Sequence, residues 1–190
     1  MDRRTFLRKA GLGSVAVASA PGVLGALAMP AWADDEDEHR FRFVTVSSAG
    51  TIDSVTHLLI MNGNGRFGGS GIEGFGTWAH VNGADPNPAT NLLASGRWRT
   101  LSLVSFTSIG TYAEVLEAGV LEARIFLRRL RPTRGSFEGT LKVVCNIGPG
   151  GLSTGQAEGV TVTIDGAPVG PFAPLSPALG LTIFIPPIGD

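Results

Sequence analysis

The sequence predicts an all-β domain, a sandwich or closed barrel of about seven to nine mostly antiparallel strands. Three observations carry that reading. Apolar and polar residues alternate with period two over residues 137–146, where Phe137, Gly139, Leu141, Val143 and Cys145 face one way. The connections are rich in Gly and Pro, as at Pro132-Thr133-Arg134-Gly135 and Gly148-Pro149-Gly150-Gly151. Helical composition is scarce: residues 113–118 are the main example, and Gly119 interrupts them.

Residues 1–33 stand apart from this pattern. Arg3, Arg4, Arg8 and Lys9 form a basic start, followed over residues 10–28 by a run made mostly of Ala, Gly, Val and Ser. That run is weaker than the roughly 20 strongly apolar residues a stable membrane span needs. Ala31 and Ala33 flank Trp32 in a small-residue cleavage pattern, which makes Asp34 the first mature residue. The adjacent Arg3 and Arg4, followed by Phe6-Leu7 and Arg8-Lys9, resemble a twin-arginine (Tat) signal peptide. The resemblance implies an N-terminal signal helix, contact with the Tat translocation machinery, and export of a domain that folds first. It further implies a periplasmic or extracellular location, with no stable membrane span left after cleavage.

Beyond Ala33 the chain carries 11 Lys and Arg against 15 Asp and Glu, and five of the acids occupy residues 34–38. Consecutive acids on one short segment do not converge on a single cation. Residues 34–39 therefore read as an acidic, disordered mature N-terminus, and residues 40–190 as a single β domain. From His39 onward the balance is 11 against 10, with Lys142 the only lysine. Such a body lacks the basic surplus that binding to a phosphate backbone requires, so nucleic acid is not an expected partner. Cys145 is the sole cysteine, which excludes an intramolecular disulfide, and its place on the apolar side of its strand reads as a buried thiol.

The ordered chain begins with a strand over residues 41–47, with Phe41, Phe43 and Thr45 on one face. A turn at Ala49-Gly50 leads to a second strand over residues 54–61. Residues 62–76 hold seven glycines in fifteen positions, including Gly63-x-Gly65-x-x-Gly68, the spacing of a dinucleotide-binding loop. The glycines that follow, at 69, 71, 74 and 76, cost a helix about 1 kcal/mol each, so no helix N-terminus is there to hold a pyrophosphate. The stretch reads as a long connection, with an adaptable loop at the mouth of a ligand site as the functional alternative. A short strand over 77–81 precedes a loop over 82–91, which Pro86 and Pro88 hold extended.

Residues 97–106 alternate as a strand, with Trp98, Thr100, Ser102, Val104 and Phe106 on one face. Leu121, Ala123, Ile125 and Leu127 alternate with Glu122, Arg124, Phe126 and Arg128. A strand over 120–130, preceded by a short helical turn, is favoured there over a helix running through Arg131. Residues 159–165 place Val160, Val162 and Ile164 inward before a hairpin-type Asp165-Gly166. Six of the twelve prolines punctuate the tail from residue 167 onward, which should run extended into a last strand over 179–185.

Chemistry has few places to sit. His57 and His80 fall in neighbouring strands, and with Glu73 or Asp85 they make up a two-histidine, one-carboxylate metal set. No His-x-His or His-Glu-x-x-His spacing fixes its geometry. The serines show no nucleophile motif. Glu114, Glu117, Glu122, Glu138 and Glu158 are scattered and read as solvated. Arg97, Arg99, Arg124, Arg128 and Arg129 form either an anion-binding face or the solvent side of a sheet, paired with Glu122 and Glu138. No cofactor is expected.

The leading functional expectation is an exported soluble module that binds a small ligand or an envelope partner. The alternatives are a small barrel enzyme of isomerase or cyclase type, by fold analogy with dirigent-like barrels, and a metal-binding protein using His57 and His80. A closed barrel with an apolar cavity holding His57, His80 or a Glu favours the enzyme. A filled core favours the binding module.

Overall fold

A computed structural model describes residues 38–69, 71–85, 87, 90–147 and 152–187. The eight strands are β1 (His39–Ile52), β2 (Val55–Gly68), β3 (Gly71–Asn82), β4 (Leu92–Tyr112), β5 (Leu116–Arg131), β6 (Gly135–Cys145), β7 (Gly159–Ile164) and β8 (Ala173–Ile185). The all-β expectation holds, and among the described residues there is no helix. The N-terminal signal helix expected over residues 1–33 lies outside the described residues. β1 takes in His39, which the sequence placed in the acidic terminus.

Of the two architectures left open, the chain adopts the closed one. Strands pair antiparallel in the order β4-β3-β2-β1-β8-β5, and the additional β4–β5 pairing turns that row into a ring of six. β5 meets β8 through a single pair, Glu117 with Phe184. β6 and β7 extend the sheet beyond β5 and lie back against β1 and β8. Side chains join that seam. The Ser47 hydroxyl donates to the Val160 carbonyl at 2.5 Å, the Cys145 thiol donates to the Thr182 carbonyl at 3.2 Å, and the Thr182 hydroxyl donates to the Val144 carbonyl at 2.8 Å. Cys145 is accordingly buried, as its place in the alternation predicts, and burial pushes its thiol pKa up.

One interior explains most of the sequence. The odd-numbered residues of β1, β2 and β5 and the even-numbered residues of β3 point inward, so Phe41, Phe43, Leu59, Met61, Phe67, Trp78, Leu121, Ile125 and Leu127 join one buried cluster. The glycine-rich stretch over residues 62–76 belongs to this pattern and is not a long connection. It is the second half of β2, a tight turn, and the first half of β3, paired from Asn62–Thr77 to Gly68–Gly71. Gly63, Gly65, Gly74 and Gly76 sit where large rings need the volume. A Cβ on Gly63 would lie 2.1 Å from the Trp98 ring, and one on Gly65 or Gly74 would lie 2.5 or 2.6 Å from the Phe41 ring. Small and large residues thus alternate around a narrow barrel.

Two hairpin turns also differ from expectation. The β1–β2 turn is Asp53-Ser54, both left-handed with φ of 50° and 65°, while Ala49-Gly50 lies at a bulge, with Gly50 at φ 80°. The helical turn expected before β5 is instead a left-handed pair, Ala113-Glu114, with φ of 52° and 58°. Two successive left-handed residues twist in the sense that two-residue hairpins require, and tertiary pairing of β4 with β5 overrides the local helical composition. Asp165-Gly166 does turn the chain, but the residues that follow form a loop, and Phe172 makes an isolated bridge to Val162 before β8 begins.

The glycine notches give a stability prediction. Gly63→Val drives a side chain into Trp98 and should cost about 3 kcal/mol, the upper range for overpacking. Gly69→Ala, at a position with open space around it, should change stability by less than about 0.5 kcal/mol. Urea unfolding midpoints measure both; equal midpoints for the two variants would contradict the packing described.

Candidate functional site

The pleat and register bring the two strand histidines together. β2 and β3 pair Leu59 with His80 and His57 with Asn82, so His57 and His80 are diagonal neighbours on the inward face. Their rings lie 5.0 Å apart, and His57 Nδ1 is 2.8 Å from His80 Nε2. One hydrogen serves that contact, so one ring donates and the other accepts. His57 is buried, with 9% of its surface exposed, and His80 is partly buried with the Phe172 ring edge-on at 5.4 Å. Burial first, and the neighbouring His57 second, lower the His80 pKa from 6.5 to about 4, so its imidazole is neutral at physiological pH.

His80 opens onto a cleft of about 230 Å³ at this end of the barrel. The β3–β4 register explains the space. His80 pairs with Ala94, and Trp78 pairs with Gly96, so the β4 wall carries small residues here. A Cβ on Gly96 would sit 2.0 Å from the Arg128 carbonyl oxygen, which fixes a glycine there. Leu59, Leu127, Phe137 and Ile164 form the remaining walls, and the loop residues Ala167, Pro168, Val169 and Phe172 form a roof. The lining is apolar apart from His80 and Arg129.

The carboxylates proposed to join the histidines do not. Glu73 lies seven residues before His80 on β3, about 23 Å along a strand, on the outward face. Its carboxylate accepts from Arg66 at 3.1 and 3.2 Å. Asp85 is held in its own loop by the Thr90 hydroxyl at 2.7 Å and the Asn87 amide at 2.9 Å, and these bonds hold its pKa below the usual carboxylate value. Among the described residues no group of three or more His, Cys, Asp or Glu side chains converges on a common point. Of the five arginines, Arg97, Arg99, Arg124 and Arg128 share the outward side of β4 and β5, with Arg97 opposite Arg128, while Arg129 has inward parity. Arg124 pairs with Asp165 at 2.5 Å and with Glu138 at 3.5 Å, Arg99 lies over the Phe126 ring, and Arg129 lies over the Phe137 ring.

The sequence reading missed a second pair at the opposite end of the barrel. Glu117 is buried, with 3% of its surface exposed, and its Oε2 lies 2.8 Å from His39 Nδ1. His39 stacks on Phe67 with ring centroids 5.0 Å apart. Glu117 shares its parity with Leu121 and Ile125, so extending the β5 alternation backward places it inward; the helical composition of residues 113–118 masked that signal. Among the described residues no helix is long and apolar enough to cross a membrane. Comparisons with protein families, with curated proteins and with solved structures give no match to this chain.

The neutral His80 links stability to pH. Unfolded, its imidazole binds a proton near 6.5; folded, it does so only near 4. Between these values the unfolded chain holds more protons, so His80's contribution is fully present above about pH 6.5 and is lost as pH falls towards 4. His80→Gln should flatten the slope of unfolding free energy over that range. A His80 ring proton that titrates near 6.5 by NMR would contradict the assignment.

Proposed function

We propose that the domain binds a small, mainly apolar ligand in the cleft beside His80. The observation that carries this reading is the contrast between a barrel filled along its length by Phe41, Phe43, Trp98 and Phe184 and one end left open. Apolar walls supply the affinity of burial, and a few placed polar groups orient a guest. The neutral His80 is one such group. His57 fixes its ring, so a hydrogen bond to a ligand costs little ordering.

A second reading, an isomerase or cyclase, is favoured by the His57–His80 pair lying at an apolar cavity. A histidine with a pKa near 4 is a weak base at neutral pH, however, and catalytic proton transfer is most efficient when the pKa lies near the working pH. Binding is therefore the better supported role. A metal role has less support, because His57 Nδ1 and His80 Nε2 face one another across a hydrogen bond and no carboxylate among the described residues joins them. The export route rests on Arg3, Arg4, Phe6, Leu7, Ala31 and Ala33 alone, and would place the binding module in the periplasm or outside the cell.

Two measurements test the proposal. Titration with the neutral probe 3-phenylpropan-1-ol should shift the indole signal of Trp78 in the NMR spectrum, and Ala94→Trp, which fills the cleft, should abolish the shift. No shift in the wild-type protein would remove the ligand reading. Mass spectrometry of protein recovered from export-competent cells should give an N-terminus at Asp34; an intact Met1 in the exported fraction would remove the signal reading.

A further inference from the structure

We propose that the ligand carries a single carboxylate and that Arg129 receives it; this rests on the cleft being a ligand site. Arg129 lines the cleft, and none of the other lining residues is acidic. Register sets its place. Gly96 on β4 pairs with Trp78 on one side and Arg129 on the other, so the guanidinium and the indole flank the same bare stretch of wall.

The guanidinium is already oriented. Its Nε donates to the Thr133 carbonyl at 2.9 Å, its Nη2 donates to the Thr133 hydroxyl at 3.1 Å, and its Cζ lies over the Phe137 ring, 5.3 Å from the centroid. These contacts use one edge of the fork. The other edge, Nη1 with the second hydrogen of Nη2, keeps the two parallel donors that match a carboxylate. Arg124 and Arg66 are balanced by acids, whereas Arg129 has no ion pair among the described residues. Its cation thus sits beside apolar surface with its orientation fixed and its charge unanswered. A planar monoanion attached to a short apolar body complements both features: the carboxylate on Arg129, the body against Trp78, Leu127 and Phe172.

Calorimetry with matched probes tests this. 3-Phenylpropanoate should bind the wild-type protein at least tenfold more tightly than 3-phenylpropan-1-ol. In Arg129→Met the acid should fall to parity with the alcohol while the alcohol's affinity stays within twofold, which also reports that the cleft remains folded. Should Arg129→Met fail to fold, Thr133→Val, which frees Nη2, should reduce the acid's advantage at least threefold. Equal binding of acid and alcohol to the wild-type protein overturns the carboxylate assignment and leaves the cleft reading standing. An acid preference that survives in Arg129→Met overturns the role of Arg129. If neither probe binds, the cleft reading falls and this proposal falls with it.

Discussion

The contact on which the barrel depends is Trp98 seated in the notch left by Gly63 and Gly76. Trp98 is 2% exposed, its ring stacks on Phe43 with centroids 5.7 Å apart, and its Nε1 donates to the Asn62 carbonyl at 2.9 Å. It therefore ties β4 to β1, β2 and β3 at once. Removing such a ring from a core costs about 3–5 kcal/mol, a large share of the stability of a domain this size. β4 also carries the pairing to β5 that closes the ring, so this packing and the barrel's closure share one strand. No disulfide assists, since Cys145 is alone and its thiol serves the seam with β8.

The cleft follows from the same rule of volumes applied differently. In mid-barrel Gly63, Gly65, Gly74 and Gly76 each face a Phe41 or Trp98 ring. At the end holding His80, Ala94 stands opposite His80 and Gly96 lies against the Trp78 ring, and the loop residues Pro168 and Val169 line the cleft that remains. The two polar groups left there are each held by a neighbour: His80 by His57, Arg129 by Thr133 and Phe137. Preorganised polar groups on apolar walls suit recognition of a small molecule.

How much of this was legible in the sequence depended on period. Where alternation was carried by side chains, as in Phe137 to Cys145 or Leu121 to Leu127, strand and inward face could both be read. The glycines of residues 62–76 also alternate in part, at 63 and 65 and again at 74 and 76. A missing side chain gives no hydropathy signal, though, and the rings that need the space come from β1 and β4, distant in sequence. Glu117 was hidden for a related reason: local helical composition was outweighed by long-range pairing. The approach of His57 to His80 was foreseeable from neighbouring strands. Their separation from Glu73 follows from the parity and length of a strand that the sequence reading had broken into a loop. Arg129 could not be told from its neighbours until the register placed it over Gly96.

A crystal of the domain soaked in 3-(4-bromophenyl)propanoate tests the central claim most directly, because bromine marks the apolar end of the probe by anomalous scattering. The account predicts one bromine site inside the cleft, against Trp78 and Phe172, with the probe's carboxylate at Arg129. A bromine site only on the outer wall of the barrel, or a cleft that stays closed to the probe, would contradict it.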